Sequence, residues 1–118
     1  MEIYRQFDGS GRILRTMDYQ LVLQFVASSM ADFDRLVSLE TKLMEGLGES
    51  GIVDGHDFGS RTFNIFVLTN EPTTTFKQAQ DVVLREGIPN EMRSAYRELD
   101  GENYVILWPS GLTEFSVV

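Results

Sequence analysis

His56 is the only histidine of the chain, and it stands between Asp54 and Asp57 in the stretch VDGHDFGS. An imidazole changes charge near neutral pH, so a histidine flanked by carboxylates suits general acid/base work or a pH-dependent switch. If GIVDGHDFG is extended, alternation places Ile52, Asp54, His56 and Phe58 on one face and Val53, Gly55, Asp57 and Gly59 on the other. With Ile52 and Phe58 turned toward a core, Asp54 and His56 turn the same way.

A further carboxylate comes from upstream. In SSMADFDRLVSLETKLMEGLGESG, helical projection gathers Phe33, Leu36, Val37, Leu43, Met44 and Leu47 into one apolar stripe, and Glu40 falls near its middle. An unpaired carboxylate aimed at a core is costly, so Glu40 requires a partner or water. Glu40, Asp54 and His56 are therefore the candidate catalytic residues, and the same three with Asn64 are the candidate ligand-binding set, between the helix and the sheet. A plainer reading of the same letters stands beside this one. Asp-Gly is a turn signal, so DGHDFGS also fits a loop or bulged strand with His56 in solvent, and Glu40 also fits the helix margin with its carboxylate snorkelling outward.

Other chemistries find little support. The chain has no cysteine, which excludes disulfides, thiolate zinc sites and cysteine nucleophiles. No HxH, HExxH or EF-hand spacing occurs, so no metal site is expected. GxSxG is missing, and GSGR and GLGESG match neither GxGxxG nor a Walker A loop, so no cofactor is expected either.

Charge narrows the partners. The 118 residues carry a net charge of −8, and because Arg5, Arg12 and Arg15 outnumber Glu2 and Asp8, the acidity lies beyond residue 16. That opposes nucleic-acid binding, which needs a basic footprint. It suits either simple solubility or steering toward a basic protein. No apolar run approaches the length of a membrane span, and the first residues lack the apolar core of a signal peptide, so a cytoplasmic location without membrane attachment is expected.

The elements that must position these residues read as follows. YQLVLQFV, residues 19–26, alternates as a strand with Tyr19, Leu21, Leu23 and Phe25 toward a core. The helix after it starts at Ser29 or Asp32 and stops among Gly46, Gly48 and Gly51. TFNIFVLT, residues 62–69, is apolar on both faces and belongs in the sheet interior. Pro72 opens a second helix with Phe76, Ala79 and Val83 at helical spacing, ended by Gly87. SAYREL and NYVILW form a hairpin around DGE, with Asp100 and Gly101 in its tight positions. The result is an α+β, ferredoxin-like plait of order β-α-β-β-α-β-β, an antiparallel sheet with two helices on one face.

Its boundaries are residues 17–109, followed by a tail over 110–118. Residues 1–16 are an extra hairpin, a leader ahead of a start at Met17, or a segment that orders against a partner. The face away from the helices would present Gln20, Gln24, Phe66 and Leu68 as a partner interface or homodimer surface unless the tails cover it, and Trp108 of the last strand adds aromatic surface on whichever side its register allows.

VDGHDFGSRTFNIFVLTNEP, followed by a helix and AYRELDGENYVILWP, resembles a family of small bacterial ferredoxin-like α+β proteins across residues 17–109. The resemblance implies the fold and brings no activity with it. By analogy with small acidic immunity proteins, the expected function is a non-enzymatic interaction protein of inhibitor type. The alternative is a small-molecule-binding domain or weak acid/base enzyme at the Glu40–His56 layer.

Overall fold

The computed structural model describes residues 5–7, 13–88 and 91–117. Nine main elements follow in order: β1 (Arg5–Phe7), β2 (Ile13–Thr16), β3 (Tyr19–Val26), α1 (Met30–Leu47), β4 (Ile52–Gly59), β5 (Thr62–Thr69), α2 (Pro72–Arg85), β6 (Arg93–Glu98) and β7 (Val105–Trp108), with a 3-10 turn at Gly48–Ser50. β3 to β7 form one antiparallel sheet in the order β4-β5-β3-β6-β7, and β1 and β2 pair separately. The class is α+β, as expected. The expected element order begins at β3, and the β1–β2 pair stands ahead of it.

β3 is the central strand because both of its neighbours find a partner face there. Leu21, Leu23 and Phe25 oppose Val67, Ile65 and Phe63 of β5, and all six are buried beneath the helices. Two apolar strands side by side give the helices a continuous surface on which to pack. α1 contributes Leu36, Leu39, Leu43 and Leu47, and α2 contributes Phe76, Ala79, Val82 and Val83. The stripe expected for α1 needs one correction: Met44 is 55% exposed while Leu39 is buried, so the helix is rotated toward Leu39.

Local chemistry sets the ends of the helices. The Ser29 hydroxyl caps α1 by accepting from the Asp32 N–H at 3.1 Å, and Pro72 stands at the start of α2, where a missing N–H costs nothing. Gly51 lets the chain cross from α1 to β4, since a Cβ there would lie 2.7 Å from Val67 Cγ1 and 3.0 Å from Thr75 Cγ2. Beside it, the Ser50 carbonyl accepts from both Thr69 Oγ1 and Thr75 Oγ1, each at 2.9 Å, which joins the ends of three elements.

Two turns depart from expectation. Asp100 and Gly101 are not the tight pair of a two-residue hairpin: Gly101 N–H donates to Glu98 O, so Leu99 and Asp100 are central and the loop runs on to Tyr104. Leu99 is the reason, because its side chain buries against Met17 and Leu68 and draws the chain inward. The β4–β5 turn is the tight one, with Ser60 and Arg61 both at positive φ, 52° and 61°, as a type I′ hairpin requires.

Candidate functional site

α1 and β4 form the seam that holds the site. Phe33, Val37 and Glu40 recur along one side of α1, and the first two are half-buried against the core. β4 is an edge strand, so only β5 flanks it in the sheet and its residues lie close to solvent. His56 opposes Ile65 and Phe58 opposes Phe63, which turns both toward the helices.

Glu40 and His56 meet here. His56 Nδ1 lies 3.0 Å from Glu40 Oε1, with Glu40 8% exposed and the His56 side chain 31% exposed. Against an ionised carboxylate, Nδ1 must carry the hydrogen and donate, leaving Nε2 as the second functional atom of the ring. The imidazole stacks on Phe63 with centroids 4.7 Å apart at 18°, and Phe33 meets Phe58 and Phe63 edge-on at 5.3 and 5.6 Å. Glu40 Oε2 is buried and has no hydrogen-bond partner among the described residues. The carboxylate at the middle of an apolar stripe is thus inside the protein, and only half of it is satisfied.

Asp54 stands at an irregularity of β4. A bulge between Val53 and Gly55 makes Asp54 the extra residue of β4, exposed at the strand edge. Simple alternation therefore fails across it. Val53 faces the helices, whereas Ile52 lies on the other side with Leu68 and Met17. Of the two ways to read DGHDFGS, the bulged strand is the one the chain adopts, and His56 nonetheless turns inward.

Asn64 is also removed from the site. It opposes Asp57 and Gln24, on the helix-free face, where Gln24 Nε2 donates to its Oδ1 at 3.0 Å. Glu40, Asp54, His56 and Asn64 consequently do not line a single pocket. Two depressions lie beside Phe25 and Val26 at the end of β3. One of about 140 Å³ is bounded by Asp32, Arg35 and Ile88, and one of about 490 Å³ by Gln24, Arg93 and Trp108.

The helix-free face is covered rather than open. After the turn at Pro109, the chain returns across it, and Gln24 Nε2 donates to Ser116 O at 2.9 Å while Phe115 packs on Tyr104. Of the residues expected to form an interface, Gln24 is 9% exposed and Leu68 1% exposed, so neither is available to a partner. Gln20, Phe66 and Trp108 are half-buried.

What sequence reading missed is the aromatic surround. Phe33 and Phe63 were legible only as core residues, although Phe33 stands seven positions before Glu40 and so shares its side of α1. Elsewhere, Asp32 has a shifted acidity. Its carboxylate accepts from Ser28 N–H at 3.1 Å, which lowers its pKa below the ordinary 3.8, with the Ser28 hydroxyl and Arg35 adding to the effect. Among the described residues, no three acidic, histidine or cysteine side chains gather to hold a metal ion, and no helix is long and apolar enough to cross a membrane.

Comparison with protein-family models, curated proteins and solved structures finds no match to this chain.

Proposed function

We propose that this chain is a non-enzymatic interaction protein of the bacterial cytoplasm, a ferredoxin-like plait that binds a basic protein in the manner of an inhibitor or immunity protein. The observation that carries the reading is the α1–β4 seam. Phe58 is 48% exposed there and packs edge-on against the half-buried Phe33 at the edge of the sheet. Large apolar side chains gathered around a buried polar group have the composition of a binding hot spot. The net charge of −8 supplies the field that steers a basic partner toward it. A second copy fits this edge less well, because pairing β4 with itself brings Asp54 and Asp57 of two copies together.

Native mass spectrometry of the untagged protein from its own host tests the reading, with Phe58→Asp as control. A stoichiometric basic polypeptide that is present with the wild type and lost in a folded Phe58→Asp variant supports it. A bare monomer removes it. The second reading, a small-molecule or acid/base site, is favoured by the 3.0 Å Glu40–His56 contact and predicts a small stoichiometric mass in place of a polypeptide.

A further inference from the structure

We propose that the α1–β4 seam contains a receptor for one guanidinium group, an arginine side chain presented by the partner, with Glu40 Oε2 as its anion and Phe33 and Phe58 as its walls. This rests on the reading of the chain as an interaction protein, and it adds the residue type that the partner supplies.

The starting point is an unmet demand. The Glu40 side chain is 11% exposed, His56 meets Oε1, and Oε2 is buried with no donor among the described residues. A buried carboxylate oxygen without a donor is expensive, more so than a neutral acceptor. Among the described residues, no lysine or arginine of the chain forms an ion pair with Glu40. On α1, Arg35 lies 3.7 Å from Asp32 and Lys42 4.0 Å from Glu45, so both are turned to other carboxylates. The two oxygens of Glu40 share one carbon, so the unpaired one sits in the same cluster as the imidazole and the phenyl rings.

The surroundings select the donor. A carboxylate among ring faces favours a cation that tolerates apolar contact on its flat sides while donating from its edge. Guanidinium does this: it is planar, weakly hydrated and stacks on aromatic faces. An ammonium is a compact, strongly hydrated charge and loses more on entering such a site. Phe58 is the access point. The residue is 48% exposed at a strand edge and meets both the half-buried Phe33 and the wholly buried Phe63, so it is the part of the aromatic cluster that solvent reaches. An arginine entering there would replace solvent on Phe58 and complete the hydrogen bonding of Glu40 in one step.

The test uses a capped glycine-arginine-glycine peptide and its citrulline counterpart, which keeps the shape and removes the charge, each titrated to millimolar concentration against isotope-labelled full-length protein. Saturable NMR shifts centred on Phe33, Glu40, His56 and Phe58, weakened about tenfold or more with citrulline and abolished by Glu40→Gln, support the receptor. Equal shifts with citrulline, no saturable shift, or undiminished binding to Glu40→Gln overturn it. Should Glu40→Gln fail to fold, Phe58→Ala decides, since loss of the exposed wall must weaken arginine binding and leave the amide spectrum otherwise intact. Failure here is separable from failure of the interaction reading: a polypeptide that co-purifies equally with wild type and Glu40→Gln retains that reading and removes the arginine receptor.

Discussion

His56 of β4 and Glu40 of α1 lie 16 residues apart in the chain and 3.0 Å apart in space, so one hydrogen bond ties the sheet's edge strand to the helix above it. The bond is formed at a half-solvated margin, and its loss has unequal consequences for the two partners. Removing His56 leaves a buried carboxylate with neither oxygen satisfied, whereas removing Glu40 leaves an imidazole that still reaches water.

His56→Ala is therefore expected to destabilise the fold by about 1–3 kcal/mol, the usual penalty for stranding a buried polar group. Glu40→Met, which discards the unpaired oxygen as well, is expected to be neutral or mildly stabilising. Urea unfolding of the two variants and their double mutant checks the ordering. A Glu40→Met protein less stable than His56→Ala would contradict it.

The C-terminal segment depends on Gln24. Its amide donates both to Asn64 Oδ1 and to Ser116 O, so Gln24→Ala removes the polar tether and leaves Asn64, fully buried, without that partner. A loss of about 1 kcal/mol is expected, together with faster hydrogen exchange over residues 112–117. Peptide-resolved exchange measures both, and unchanged protection of that segment would show that apolar contacts alone hold it.

The β4–β5 turn uses Ser60 and Arg61 where the backbone favours Asn-Gly, and both carry positive φ. Replacing the pair by Asn-Gly should raise stability by about 1 kcal/mol, since the strain of two ordinary residues in the left-handed region is relieved. Thermal unfolding reads the gain directly, and an unchanged midpoint would mean that the turn is not strained.

Asp32 gives the fold a predictable response to acid. Its carboxylate is hydrogen-bonded in the folded chain and its pKa lies below the ordinary 3.8, so its contribution is present above that value and is lost as pH falls through the lowered folded value. Stability measured across this acid range should fall less steeply for Asp32→Asn than for the wild type. Identical slopes would assign the cap entirely to Ser29.

The contrast between what was legible in the sequence and what was not follows the range of the forces involved. β3, β5 and the two helices were readable because local alternation and helical spacing coincide with burial, and Glu40 was conspicuous because it broke its stripe. The outward rotation of Met44 was not readable, since Leu39 competes for the same side of the helix and only the packing partner decides. Asn64 was misplaced by one assumed face, and the bulge at Asp54 broke the alternation on which the expected orientation of that strand rested. The cover over Gln24 comes from a carbonyl 92 residues away, which no local pattern reports.

The bulge at Asp54 also bears on how the protein keeps to itself at high concentration. Deleting that single residue would let Val53 and Gly55 run on against Val67 and Phe66 without a break, so every other pairing of β4 could persist. The cost would fall outside the fold. A straightened edge strand accepts another strand more readily than a kinked one, and the shortened protein is expected to lose colloidal stability while its native core survives. Turbidity of the deletion variant against the wild type therefore reads how far one supernumerary residue keeps this edge from pairing.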